Sequence, residues 1–188
     1  MPLPRTPLLT PRLLLRPYEP ADAAVFFSLL HQNRARLHVS FPDRLENVPT
    51  AAEAPAALAA FAADWHSGRF YVFGIWLRET GAYLGDICLM PQTSEQAEIG
   101  YYLAQEAEGQ GYAREALAAV CEFGFERGQA RRLLIRCFAD NVRGRGVALS
   151  AGFRLETPPV RFAWFRNVYT PGHIHRFVRE RGNERGSE

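Results

Sequence analysis

Glu98-Ile-Gly-Tyr-Tyr-Leu103, followed after a short link by Glu108-Gly-Gln-Gly-Tyr-Ala-Arg-Glu115, is the stretch whose reading decides the fold. The first run is rich in aliphatic and aromatic residues and reads as a strand. The second is a Gly-rich turn that opens into a helical pattern reaching about residue 127, with Ala113, Ala116, Leu117, Val120, Cys121 and Gly124 on one side. Strand, Gly-rich turn and helix together form a device for holding phosphates. Glycines let the backbone come close, and the unpaired N–H groups of the first helical turn face the anion. A second strand-like run, 132–138, places Leu133, Ile135 and Cys137 on one face and Leu134, Arg136 and Phe138 on the other. Asp140-Asn141, a short helix and Gly152-Phe153 follow it.

Working outward, residues 12–18 read as a first strand ended by Pro17 and Pro20, and 21–32 show helical spacing through Ala24, Phe27 and Leu30 or His31. Residues 37–49 contain two prolines and no clear period, which predicts a loop. An Ala-rich helix is expected over 50–66, with Thr50 as N-cap, Glu53 at the capping-box position and Gly68 as its stop. Residues 70–77 and 82–90 form a hairpin about Glu79-Thr80-Gly81, and Gly128 stands where the later helix needs a C-cap. Residues 162–168 and 174–178 are the last strands. From 179 onward there is no aliphatic or aromatic residue, so 179–188 reads as a disordered tail behind a single domain, 1–178. The fold class is α/β (α+β): a mixed sheet with helices on both faces.

The chain has 188 residues, enough for a real core in one domain. No apolar run approaches the length that crosses a bilayer and no signal-peptide pattern is visible, so a cytoplasmic protein with no membrane partner is expected. All 22 basic residues are arginine. Codon bias in a GC-rich genome is the ordinary cause, but the consequence is chemical: a Walker-type P-loop, Schiff-base chemistry and a lysine nucleophile are excluded. A net charge of +2, spread along the chain, argues against nucleic acid as partner. Arg131-Arg132, and Arg143 with Arg145, are local clusters that suit either a solvated surface or a phosphate contact. Three cysteines without C-x-x-C spacing argue for a reducing compartment and against a disulfide framework or thiolate zinc site. His173 and His175 would share one face of a strand, but two ligands do not make a metal site and none is expected.

A dinucleotide fold is the main rival for the Gly-rich turn. Its fingerprint would need a third glycine where Arg114 stands, and it would use the first βα turn of the chain. Taken together, Ile99-Gly100-Tyr101, Gly109-Gln110-Gly111-Tyr112-Ala113, Glu115-Ala116, Asn141 and Gly152-Phe153 resemble the GNAT superfamily of acyl-CoA-dependent N-acetyltransferases. Leu9-Thr10-Pro11-Arg12-Leu13-Leu14-Leu15-Arg16-Pro17, Pro20-Ala21-Asp22-Ala23 and Asn33-Arg34 with Leu37 and Phe41-Pro42 fit as well. The branch they are most similar to is that of the RimJ/RimL-type ribosomal-protein N-terminal acetyltransferases, over about residues 8–178.

The resemblance implies the GNAT fold, with a mostly antiparallel mixed sheet, and acetyl-CoA as co-substrate. Its pyrophosphate would meet the backbone N–H groups of Gly109, Gln110, Gly111, Tyr112, Ala113 and Arg114. Pantetheine would fill a gap between the strands holding Leu103 and Phe138, with Asn141 beside it or simply capping its helix. Arg145 is a further cofactor candidate. Glu98 is the first candidate base, against a plain strand carboxylate paired with an arginine; Asp86 and Glu156 come after it. A backbone N–H around Leu103 would hold the oxyanion. Relatives take the proton donor from a Ser or Tyr where this chain has Gly144 and Ala148, which leaves Tyr101, Tyr102, Cys137 or water. Glu108 is also a departure, since a carboxylate near a pyrophosphate is unfavourable unless it points away. Asn33, Arg34, Leu37, His38 and Phe41, with Trp164, Tyr169 and His173, match the acceptor side, though each also reads as packing. The implied reaction is direct transfer to a primary amine, typically a protein N-terminus. A small-molecule amine, or an acyl-CoA-binding module without turnover, are the alternatives, and homodimers are common in the branch.

Overall fold

The hairpin expected about Gly81 forms the middle of the sheet. In the computed structural model, which describes residues 3–156 and 174–182, β3 (Tyr71–Leu77) and β4 (Tyr83–Pro91) pair antiparallel, with Gly81 left-handed at φ 70°. On one side lie β2 (Leu13–Arg16) and the two-residue β1 (Leu8–Leu9); on the other lies β5 (Gln96–Leu103), antiparallel to β4 along its whole length. Beyond β5 come β6 (Arg132–Phe138), β8 (Ile174–Glu180) and β7 (Arg154–Leu155), completing the order β1-β2-β3-β4-β5-β6-β8-β7. Among the described residues only β5 and β6 are parallel, joined by the crossover helix α5 (Tyr112–Glu126), as a parallel pair requires.

Alternation along the strands gives the sheet two covered faces. On one, α5 packs so closely that a Cβ at Gly124 would meet Leu133 Cδ2 at 3.1 Å and Leu89 Cδ1 at 3.3 Å. On the other, Tyr18 lies edge-on to Trp76 and to Phe26 of α1 (Ala23–Gln32). A 14-residue helix, α4 (Ala54–Ser67), joins the layers: Phe61 packs on Phe26, and Trp65 on Phe73 and Phe123. Burial of these rings dominates the core, each contributing on the order of 1.5–3 kcal/mol relative to exposure.

Several local expectations are corrected. Residues 37–49 are not a loop, since α2 (Arg34–Ser40) and α3 (Pro42–Glu46) fall there. Both helices are too short to show a period, and Pro42 begins α3 at the first helical position, where its missing N–H costs nothing. The helix expected from Thr50 starts at Ala54; Thr50 does bind Glu53, N–H to Oε2 at 3.0 Å, but this closes a turn in front of α4. Gly68 caps α4 in the left-handed conformation as expected, at φ 76°. Gly128 does not play that part for α5. The left-handed residue is Gln129, and glycine is needed at 128 because a Cβ would lie 2.7 Å from the Gly124 carbonyl oxygen.

The tail expected from residue 179 is corrected too. β8 continues through Glu180, with Arg179 opposite Leu133 and Glu180 opposite Arg132. Ordering comes from pairing rather than apolar burial: Glu180 accepts from Arg154 at 3.0 Å, and Arg179 lies over the Phe125 ring at 5.7 Å. The strand expected over 162–168, and residues 183–188, lie outside the described residues.

Candidate active site

β5 and β6 pair over three rungs only, Gln96 with Arg132, Ala97 with Leu133 and Glu98 with Leu134. After that they separate, because β5 stays with β4 up to Leu103 while β6 stays with β8 up to Phe138. From Ile99 to Leu103 the edge of β5 facing β6 therefore has no partner strand among the described residues, and a wedge opens toward the C-terminal ends of both strands. Unpaired edge groups of this kind bind an extended chain as an added strand does.

The Gly-rich turn follows directly from the open end of β5. Gly109 and Gly111 are left-handed at φ 77° and 81°, a conformation that side chains resist, and Gly111 is the N-cap of α5. The first α-helical bond is from Glu115 N–H to the Gly111 carbonyl at 3.1 Å. Tyr112, Ala113 and Arg114 thus keep donors with no helical acceptor, at the positive end of the α5 dipole. Arg114 is exposed.

Two side-chain ties hold this turn. Arg12, in the link between β1 and β2, clasps Glu115 at 2.7 Å and donates from Nη1 to the Gln110 carbonyl at 2.9 Å. Thr10 Oγ1 donates to Glu115 at 2.6 Å. Burial pushes the Glu115 carboxyl up, but these donors and the Arg12 charge outweigh it and hold it below the usual carboxylate range. Glu108 is the second tie: it is clamped by Arg36 of α2 and by Arg143 of α6 (Val142–Ser150). Its charge is therefore answered by two guanidiniums. The Thr10-Pro11-Arg12 motif and Glu115 were both visible in the sequence; their pairing, across about a hundred residues, was not.

Inside the wedge, Tyr101 points its hydroxyl at the Gly144 carbonyl, 3.5 Å away. Burial, then the neighbouring Cys137, push its phenol well above its ordinary value and keep it protonated. The buried Cys137 thiol faces the carbonyls of Phe138 and Asn141 at 3.4 and 3.6 Å, and burial raises it also. Asn141 caps α6, its Oδ1 accepting from Gly144 N–H at 2.8 Å. Arg145 donates to the Ala139 carbonyl at 3.0 Å and braces the loop that carries Asn141.

Glu98 and Arg136 lie on the face turned away from α5. The Glu98 carboxylate is buried and accepts from Arg136 Nε at 2.6 Å. Phe41 packs edge-on to Tyr102 at 5.2 Å on this face, and a Cβ at Gly100 would lie 3.8 Å from its ring. Of the other residues expected on the acceptor side, Arg34 is exposed and His38 turns its Nδ1 back to the Ala35 carbonyl at 2.9 Å. Asn33 is buried and fully engaged: Nδ2 donates to the Leu29 carbonyl at 2.9 Å, and Oδ1 accepts from Gln105 N–H at 3.1 Å and from Arg36 at 3.0 Å. It ties the α1–α2 junction to the link between β5 and the Gly-rich turn. Trp164, Tyr169 and His173 lie outside the described residues.

The weaker candidate bases are placed elsewhere. Asp86 is enclosed, accepting from Tyr102 at 2.9 Å, Tyr18 at 3.1 Å and Arg44 at 3.3 Å, and burial raises its carboxyl. Glu156 is clamped between Arg132 and Arg176. A cleft of about 500 Å³ bounded by Leu3, Tyr71, Gln96 and Gln129 opens at the paired end of β5, away from the wedge.

A model described as the acetyltransferase (GNAT) domain matches residues 12–154, from the Arg12 tie past the wedge to β7. The chain belongs to the GNAT acetyltransferase family. Among its relatives is the uncharacterized N-acetyltransferase YoaA of Bacillus subtilis (strain 168), 29% identical over 149 residues, 78% of this chain and 82% of that one. The ribosomal-protein-serine acetyltransferase of Escherichia coli (strain K12) is 41% identical over 63 residues, 34% of this chain and 35% of the other. In fold the chain matches RimL, the ribosomal L7/L12 alpha-N-protein acetyltransferase solved in complex with coenzyme A. Its TM-score is 0.79 at 22% identity, with 93% of this chain and 98% of that one covered. This GNAT chain is accordingly an acetyl-CoA-dependent acetyltransferase, and its sheet, eight-stranded among the described residues, is the RimL-type one. No helix among the described residues is long and apolar enough to cross a membrane.

Proposed function

We propose that this enzyme transfers the acetyl group of acetyl-CoA to a protein N-terminal α-amine by direct attack. The observation that carries the reading is the one-sided parting of β5 and β6, with a donor-rich turn at its mouth. The residues present fit the co-substrate. Donors of Gly109, Gln110, Gly111, Tyr112, Ala113 and Arg114 suit a pyrophosphate, and the unpaired β5 edge suits the amides of pantetheine. Asn141 stands at the opposite lip, where its amide N–H₂ can serve the same arm.

The amine enters from the face lined by Phe41 and Glu98 and attacks the thioester carbonyl carbon. The Leu103 backbone N–H stabilises the oxyanion. One amine proton passes through water to Glu98, which Arg136 holds in place. As the C–S bond breaks, the Tyr101 hydroxyl gives its proton to the departing thiolate and regains one from solvent. Burial keeps this hydroxyl protonated, so the proton is present to give, while it weakens the phenol as an acid.

An α-amine, with a pKa of about 8, is partly neutral near neutral pH, whereas a lysine side chain near 10.4 is not. A site with one water-linked carboxylate therefore suits the N-terminus better. The relatives named for ribosomal proteins point the same way. The test is a screen of peptides with free and blocked N-termini against small amines, reading CoA release. Turnover confined to free peptide N-termini supports the reading; turnover on small amines alone replaces it, and tight acetyl-CoA binding without turnover on any acceptor makes the protein a binding module.

A further inference from the structure

Arg12 is bound to the start of α5 more heavily than a link residue between two edge strands needs. Its backbone N–H donates to Glu115 Oε1 at 2.8 Å, and its Nε and Nη2 both reach Oε2 at 2.7 Å. With Nη1 it donates to the Gln110 carbonyl at 2.9 Å, and its guanidinium lies over the Tyr112 ring, 4.7 Å from the centroid. Nη2 fills the space beside Gly111, where a Cβ would lie 3.4 Å from it.

The contact with Gln110 has a definite consequence. A trans peptide points its C=O and its N–H in opposite directions. By drawing the Gln110 carbonyl to itself, Arg12 turns the Gly111 N–H to the opposite side. It also keeps a carbonyl oxygen, which would repel a phosphate, away from the donors. Glu115 makes the arrangement rigid: it accepts from Thr10 at 2.6 Å as well, so the arginine has one geometry available. The same fork could not be made by a lysine.

We propose that Arg12 is the positioning residue of the pyrophosphate turn. It fixes the peptide between Gln110 and Gly111, and with it the donors that face acetyl-CoA, without touching the co-substrate. This rests on the reading of the turn given above, and the test separates the two.

Steady-state rates are measured with acetyl-CoA and with S-acetylpantetheine, an acetyl donor that lacks the pyrophosphate, on wild type, Arg12→Ala, Arg12→Lys and Arg78→Ala. Arg78 braces the same link, through the Thr10 and Pro11 carbonyls at 2.7 and 3.2 Å, and neither of these bonds reaches α5. Arg12→Ala is expected to raise KM for acetyl-CoA about tenfold with kcat within twofold, and to leave the S-acetylpantetheine rate unchanged. Arg12→Lys is expected to show the same selective loss, which keeps the test open should the alanine variant fold poorly. Arg78→Ala is expected to lower Tm and to change neither donor's kinetics. Equal losses on both donors, or none on acetyl-CoA, would overturn the role of Arg12. A wild type that uses both donors equally well would overturn the pyrophosphate reading itself.

Discussion

Glu98 stands on the last rung that joins β5 to β6, and its carboxylate is held at 2.6 Å by Arg136, two residues past that rung on β6. The ion pair therefore sits at the apex of the wedge, on the face where the amine is expected. Glu98→Gln should lower kcat about a hundredfold and leave acetyl-CoA affinity within twofold. Single-turnover kinetics with calorimetry checks this; an unchanged kcat would return Glu98 to a structural role.

Tyr101→Phe removes the hydroxyl that faces Gly144 and no other contact of the ring. The expected loss in kcat is about tenfold, modest because CoA thiolate leaves readily. Since burial raises the phenol, its protonated form persists above the ordinary tyrosine value of about 10. The pH profile of wild-type kcat should accordingly show no alkaline decline below about pH 10; a decline centred near pH 8 would contradict Tyr101 as donor.

Glu108 lies between Arg36 and Arg143 immediately before the Gly-rich turn. Glu108→Gln releases two guanidiniums to answer the pyrophosphate, and acetyl-CoA should bind about threefold more tightly at low ionic strength, with the gain fading as salt is added. Weaker binding of the variant in calorimetry would show that the clamp itself shapes the site.

Asp86, Arg44, Tyr18 and Tyr102 form a buried network on the sheet. Asp86→Ala leaves Arg44 buried without its carboxylate and should destabilise the fold by about 3–5 kcal/mol, measured by urea unfolding. The folded fraction should keep its kcat, which a catalytic Asp86 would not allow.

Acid stability follows from two carboxyls held below their usual range. For Asp22, burial pushes upward, but the bidentate contact with Arg16 at 2.7 and 2.8 Å prevails; Glu115 behaves likewise with Thr10 and Arg12. A depressed folded-state pKa contributes stability above the unfolded value of about 4 and loses it as pH falls through the folded one. Unfolding between pH 5 and about pH 2 should flatten in Asp22→Asn and Glu115→Gln; an unchanged acid limb would exclude these groups as its cause.

The order of elements about the Gly-rich turn was legible in the sequence because each part carries its own local signal: two positive-φ glycines, a strand period and an Asn cap. The wedge was expected only through the family resemblance and has no local signal of its own, since the parting of β5 from β6 is decided by β8, some forty residues beyond the strand it draws away. Asn33 matched the acceptor side in sequence yet spends every polar atom on internal bonds, which no local pattern reveals. Arg36, Arg136 and Arg12 were missed for a related reason. In a chain with no lysine, arginine fills every cationic position, and only the fold shows which of them meet Glu108, Glu98 and Glu115.

The most direct test is release of CoA thiol from acetyl-CoA with a free-N-terminus peptide, in wild type and Gly111→Val, with acetyl-CoA affinity measured alongside. The valine must adopt φ 81° and would crowd Arg12, so the account predicts turnover in wild type and loss of both affinity and turnover in a folded variant. Undiminished binding to Gly111→Val would contradict the site at this turn.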